Sequence, residues 1–231
     1  MSLFSKIVKN LALAFGIFLA ISIISFGLDL AYFFFESTNL VKNNSYEISG
    51  LDFQKYSTYL DIDLKASNLI IKKGDNFGYQ TNIKDLKVTQ DNDKLVIKDN
   101  RKNIFNNKNN DVTLYIPADL LFESVNIEMG AGKLDIEQVE LNNVRLDLGV
   151  GKVIINSKLT GKNTIECGIG EVDLNLNLPL DSYKLKLEKG IGEITLNGKK
   201  VKDDASIGKG INTVNVEGGI GKIAITTKED R

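Results

Sequence analysis

The chain has 231 residues, 42% of them hydrophobic, with 29 Lys and Arg against 30 Asp and Glu, one cysteine and no histidine. That length can bury a sizeable core, in one domain or at most two. The charge balance offers neither a basic field for nucleic acid nor a polybasic patch for lipid, Cys167 alone cannot form an internal disulfide, and the lack of histidine excludes His-type zinc sites, Ser-His-Asp triads and Cys-His dyads.

Residues 1–10 contain Lys6 and Lys9 and read as a cytoplasmic tail. Residues 11–35, "LALAFGIFLAISIISFGLDLAYFFF", carry Asp29 as their only charge. As a helix this stretch would be about 37 Å long, enough to cross a hydrocarbon core of roughly 30 Å. The lysines on its N-terminal side predict a single-pass signal anchor in the cell membrane, with the N-terminus inside and the C-terminal domain extracellular. A cleaved signal peptide would have a shorter apolar stretch and a small-residue cleavage site, which "LDLAYFFFES" does not supply. Residues 36–49 read as a linker and 50–228 as the folded domain.

Within that domain, "LDIDLKASNLII" alternates apolar and polar residues and slips phase once, with Ser67 at the slip. "IKDLKVTQDNDKLVIKD" reads as two strands joined by a polar turn at Asp91 to Asp93. Asn100 to Asn110 form an Asn-rich loop, and "DVTLYIP" is a strand leading into a repeat.

The repeat is written five times: "IEMGAGKLDI", "LDLGVGKVII", "IECGIGEVDL", "LEKGIGEITL" and "VEGGIGKIAI". The second glycines fall at 132, 151, 170, 192 and 221, so successive steps are 19, 19, 22 and 29 residues. Periods near 20 indicate stacked units. Apolar residues alternate on both sides of each motif, as in Val125, Ile127 and Met129 before Leu134 and Ile136, but the phase shifts by one across it. This predicts a bulge or corner at Gly130 and Gly132, Gly149 and Gly151, Gly168 and Gly170, Gly190 and Gly192, and Gly219 and Gly221. The alternation is read as placing the middle residues Ala131, Val150, Ile169, Ile191 and Ile220 in the core, with the following Lys or Glu in water. No helical stretch follows any motif, so a nucleotide-binding phosphate loop is excluded.

With these residues assembled, the chain resembles the bacterial "putative adhesin" family of β-strand-repeat proteins, a domain of unknown function. The match runs over about residues 48 to 228, through "LDIDLKASNLIIKKGD", "DVTLYIP" and the serial G-x-G-[KE]-[LIV]-x-[LIV] units. The resemblance implies an all-β, right-handed β-helix-like solenoid of ~19–22-residue coils on the bacterial envelope, often tied to envelope stress, with no catalytic residue or cofactor to carry over. A β-sandwich-like stack is the alternative. The chain departs from a regular array at the 29-residue step and at Lys189 and Gly218, which take the inward slot held elsewhere by Met129, Leu148 and Cys167.

An acid stands two residues before each first glycine: Glu128, Asp147, Glu166, Glu188 and Glu217, with Asp63 in the worn first copy. Stacked coils would line these up as an outward column, read as a solvated face in preference to a weak Ca²⁺ or cationic-ligand surface. Cys167 reads as a core thiol. No cofactor is implied, and the chain reads as a non-enzymatic surface binding, adhesin-like or envelope-stress accessory protein with an envelope or membrane protein partner. The rival is a polysaccharide-active β-helix enzyme. An open strand edge is expected after Ile223 and Ile225, either blunted by Lys228 to Arg231 or paired by another protein, with partner contacts expected at this end and over Gly198 to Gly219.

Overall fold

The computed structural model describes residues 44–46, 58–102 and 110–229. The expected tail and anchor at 1–35 lie outside the described residues, as does most of the Asn-rich loop. Among the described residues no helix is long and apolar enough to cross a membrane. Their regular structure is all β apart from one 3-10 turn at Leu180–Ser182.

In chain order the strands are β1 (Asn44–Tyr46), β2 (Tyr59–Lys73), β3 (Gly78–Thr81), β4 (Leu86–Asp91), β5 (Lys94–Asp99), β6 (Asp111–Ile116), β7 (Ser124–Glu137), β8 (Leu141–Asn142), β9 (Val144–Ser157), β10 (Leu159–Thr160), β11 (Lys162–Pro179), β12 (Tyr183–Leu196), β13 (Lys199–Lys200), β14 (Ala205–Ile207) and β15 (Asn212–Lys228). The hairpin β4–β5 turns where the polar sequence predicts, with Asn92 at φ 52. β1 lies inside the segment read as a linker and pairs antiparallel with β3.

The long strands β2, β7, β9 and β11 stack parallel and in register, which aligns Ala66, Ala131, Val150 and Ile169. Their inward residues form one continuous core, from Leu60 and Ile62 through Ile127 and Leu146 to Ile165 and Leu174. The short strands β8 and β10 pair parallel on a second face. Between them, buried Asn163 accepts from the Val144 amide and donates to the carbonyls of Thr160 and Thr213.

Serial stacking stops at β11. Its next neighbour is β15, and β12 pairs with the far side of β15, so the order runs β2-β7-β9-β11-β15-β12. After β11 the chain crosses through Leu180–Ser182 and lays β12 one slot out. It then folds β13 and β14 antiparallel along β12 and returns as β15 to fill the gap. The 29-residue step is this detour. The open edge expected at the last strand is therefore corrected: β15 is paired on both sides, and the outer edge is β12, partly covered by β13 and β14. The sheet is mixed, because β3, β4, β13 and β14 pair antiparallel.

At the opposite end β5 covers Tyr59 to Asp63 of β2 and β6 covers Asn68 to Lys73, leaving the bend of β2 without a strand partner on that outer side. Asp99 and Arg101, both buried, fill that gap. Arg101 Nη2 donates to the Ala66 carbonyl at 2.9 Å and to Ser67 Oγ at 3.3 Å, and Asp99 holds Arg101 Nε at 2.9 Å.

The glycine corners exist, but the phase slip sits two residues earlier than the alternation suggests. Gly132 and Gly151 are buried, whereas Ile169, Ile220 and Ile191 are 45%, 46% and 71% exposed and Ala131 and Val150 are half-buried. The middle residues thus point out of the core. The cause is a close approach: Gly151, at φ +147, packs against its neighbour so tightly that an added Cβ would collide with the Gly132 carbonyl oxygen. An inward slot without a side chain leaves Gly149 and Val150 as two successive outward residues.

Gly151→Val should therefore destabilise the domain by about 3 kcal/mol or more, from collision plus backbone strain. Lys152→Ala, which removes only an exposed ion pair with Glu171, should cost less than about 1 kcal/mol. Urea midpoints measure both, and equal midpoints would contradict the packing argument.

Burial alone would raise the Asp99 pKa, but the bonds from Arg101 and the Lys65 amide outweigh it and hold the carboxyl below 3.8. With the folded value depressed, the stabilisation is complete above the unfolded value of about 3.9 and is lost as pH falls through the folded one. Asp99→Asn should thus cost about 3 kcal/mol at neutral pH by leaving Arg101 buried without its partner. The difference from the natural chain should shrink below about pH 4, which stability curves at several pH values would show.

Candidate binding face

The register converts sequence positions into rows across the stack. One row is apolar and outward: Ala66, Ala131, Val150, Ile169, Ile220, Ile191, in spatial order. Side-chain size grows along it, and the three isoleucines are neighbours at one end. Beside it runs the first-glycine row, with Gly130, Gly149, Gly168, Gly219 and Gly190 all exposed. A Cβ at Gly149 would sit 2.6 Å from the Gly130 carbonyl oxygen, so this strip is also kept bare by packing.

Beyond the glycines lies the acid column. The expected residues do align, but in the order Asp63, Glu128, Asp147, Glu166, Glu217, Glu188, because β15 precedes β12 in space. At the β2 end the acids are compensated. Lys94 bridges Asp61 at 2.6 Å in the adjoining row, Lys98 bridges Asp63 at 2.7 Å, and Asn126 donates to Asp61 at 2.9 Å and Glu128 at 3.4 Å. At the other end Lys186 bridges Glu188 at 2.7 Å. Among the described residues no ion pair reaches Asp147, Glu166 or Glu217. No three of Asp, Glu or Cys among them gather closely enough to hold a metal ion.

On the ladder's other side the row reads Lys133, Lys152, Glu171, Lys222, Glu193. Here Lys152 bridges Glu171 at 3.0 Å and Lys200 bridges Glu193 at 3.1 Å. The inward column Met129, Leu148, Cys167, Gly218, Lys189 ends beside a small cleft lined by Cys167, Gly218, Lys189 and Ile223. Sequence reading missed the buried Asp99–Arg101 pair and Asp203, whose carboxylate accepts the Lys189 amide at 2.8 Å and the Asp204 amide at 3.0 Å. Their only signal was a charge next to a loop or turn.

No family model matches the chain, and no curated protein sequence matches it. Among solved structures, a "putative cell adhesion protein" from Clostridium sporogenes ATCC 15579 is similar over 81% of this chain and 98% of its own, at 21% identity and a TM-score of 0.51. A "putative adhesin" from Bacteroides fragilis NCTC 9343 aligns over 81% of this chain and 97% of its own, at 12% identity and a TM-score of 0.29. The first likeness is one of fold.

Burial, with the Asp147 charge nearby, pushes the Cys167 thiol up to about 11. Iodoacetamide at pH 8 should therefore label the native chain far more slowly than the urea-unfolded chain. Equal rates, read by mass spectrometry, would place the thiol outside the core.

Proposed function

We propose that the chain is a non-enzymatic, adhesin-like surface binding protein, anchored in the cell membrane by residues 11–35 with its β domain outside. The in-register coils are read as a right-handed β-helix-like solenoid that displays one face to an envelope or membrane protein. The observation that carries this reading is the row Val150, Ile169, Ile220, Ile191, apolar, unbroken and increasingly exposed toward β12. Contiguous apolar surface of this kind marks contact sites. The name given to the Clostridium sporogenes protein points the same way. A polysaccharide hydrolase needs two carboxylates facing each other across a sugar, whereas here the column acids stand on one side of the glycine strip and the acids across the ladder, Glu171 and Glu193, are already held in ion pairs by Lys152 and Lys200.

A photo-crosslinking residue in place of Ile191 should trap an envelope protein in intact cells, while the same residue at exposed Lys228 should not. No adduct at 191, or hydrolysis of cell-wall polysaccharide by the purified chain, would reject the reading. External protease should remove the domain from intact cells and spare the anchor, and full protection would reverse the topology.

A further inference from the structure

We infer, building on the binding reading above, that this face accepts an extended segment of another protein in which basic and apolar side chains alternate. Two independent features coincide on β9, β11 and β15. The ladder is large there, as Val150, Ile169 and Ile220, and stays so at Ile191 of β12, whereas at the β2 end it shrinks to Ala66 and Ala131. Among the described residues the acid column also has no ion pair on β9, β11 and β15, because Lys94, Lys98 and Asn126 serve the β2 end and Lys186 bridges Glu188 on β12, its charge reaching Glu217 without forming an ion pair.

Asp147, Glu166 and Glu217 lie on adjacent strands, about 4.8 Å from one to the next. Arg145, one row away, makes no ion pair among the described residues. Like charges at that spacing repel, and a cation laid along them would relieve the repulsion. Across the ladder Glu171 and Glu193 are already held by Lys152 and Lys200, and Lys222 between them adds a further cation, so the demand for positive charge is one-sided.

Between acids and ladder the exposed glycines Gly149, Gly168, Gly219 and Gly190 put bare backbone at the surface. A bound strand can settle on such a strip without meeting side chains. An extended chain sends successive side chains to opposite sides, roughly every 3.3 Å. One set then meets carboxylates and the other meets isoleucines.

A second copy of this chain fits worse. Turned antiparallel, its acid column faces the same acid column; turned parallel, Asp147 and Glu217 meet Lys152 and Lys222, but Glu166 and Glu188 meet Glu171 and Glu193, so half of the facing pairs repel. An acidic or anionic partner meets the unpaired carboxylates directly.

The test uses the full-length chain in neutral detergent and three fluorescent octapeptides that alternate Lys with Leu, Glu with Leu, and Lys with Ser, with empty micelles as the blank. Anisotropy should show the Lys-Leu peptide binding at least about tenfold tighter than either other peptide. Glu166→Gln with Glu217→Gln, and separately Ile169→Ser with Ile220→Ser, should each weaken it by about tenfold or more. All four positions are at the surface of the stack, and circular dichroism checks that the fold is retained. Equal binding of the Glu-Leu peptide, indifference to the Gln pair, or ladder-dependent dimers in sedimentation would overturn the proposal. An Ile191 crosslink in cells alongside a failed peptide test would overturn this charge argument and leave the binding reading standing.

Discussion

One contact without room for a side chain organises this protein. Parallel strands in register place the same backbone position of each coil beside that of the last, and at the bend the α-carbon of the second glycine lies against the neighbouring carbonyl. Gly132 meets Ser67 in this way, Gly151 meets Gly132, Gly170 meets Gly151, Gly221 meets Gly170 and Gly192 meets Gly221. Only the first coil escapes, because no coil precedes it. Ser67 stands there, with its hydroxyl accepting from Arg101. The other rows follow from this contact: the bare inward slot forces two successive outward residues, the second of which becomes the exposed ladder. The residue three before it becomes the acid column.

A stack built on such a contact must end somewhere, and at each end the bend is the hardest place to close. Strands can cover the flanks, as β5 and β6 do for β2 and as β14 and β13 do for β12. At the kink itself the ladder is interrupted and side chains take over. Asp99 and Arg101 serve one end, and the Asp203 carboxylate on the Lys189 amide serves the other. The unusual inward residue is explained by the same geometry. Lys189 belongs to the outermost coil, next to Gly218, where a long aliphatic stem can lie over the core margin while its amine reaches water.

The elements legible in the sequence were the ones set by local rules. Alternation gave the strands, the phase slip gave the corners, and the common spacing gave the acid column. The position of the slip was not legible, because Met129 in and Leu134 in are equally satisfied whether Ala131 or Gly132 faces the core. Only the collision between neighbouring coils decides between them. Nor was the order of the last two coils legible: "EKGIGEI" and "EGGIGKI" make the same corner, and nothing local says which lies against "ECGIGEV". The long step and the odd residues Lys189 and Gly218 marked the place but not the outcome. Asn163 and Asp99 were passed over because their roles depend on partners roughly twenty to fifty residues away along the chain, Val144 and Thr213 for the first and Lys65 for the second.

Stacking explains why the middle residue points outward, but not why it is isoleucine three times. Alanine satisfies the same backbone at 66 and 131. Strand propensity favours a β-branched residue there, yet threonine would supply that preference without apolar surface. Exposed isoleucines confined to one end of a row bring a risk of association that the fold itself does not require. Two of the three, Ile169 and Ile220, sit where the neighbouring carboxylates Glu166 and Glu217 are also left without ion pairs among the described residues. Stability accounts for neither feature on its own terms, whereas a partner that covers both accounts for their being in the same place.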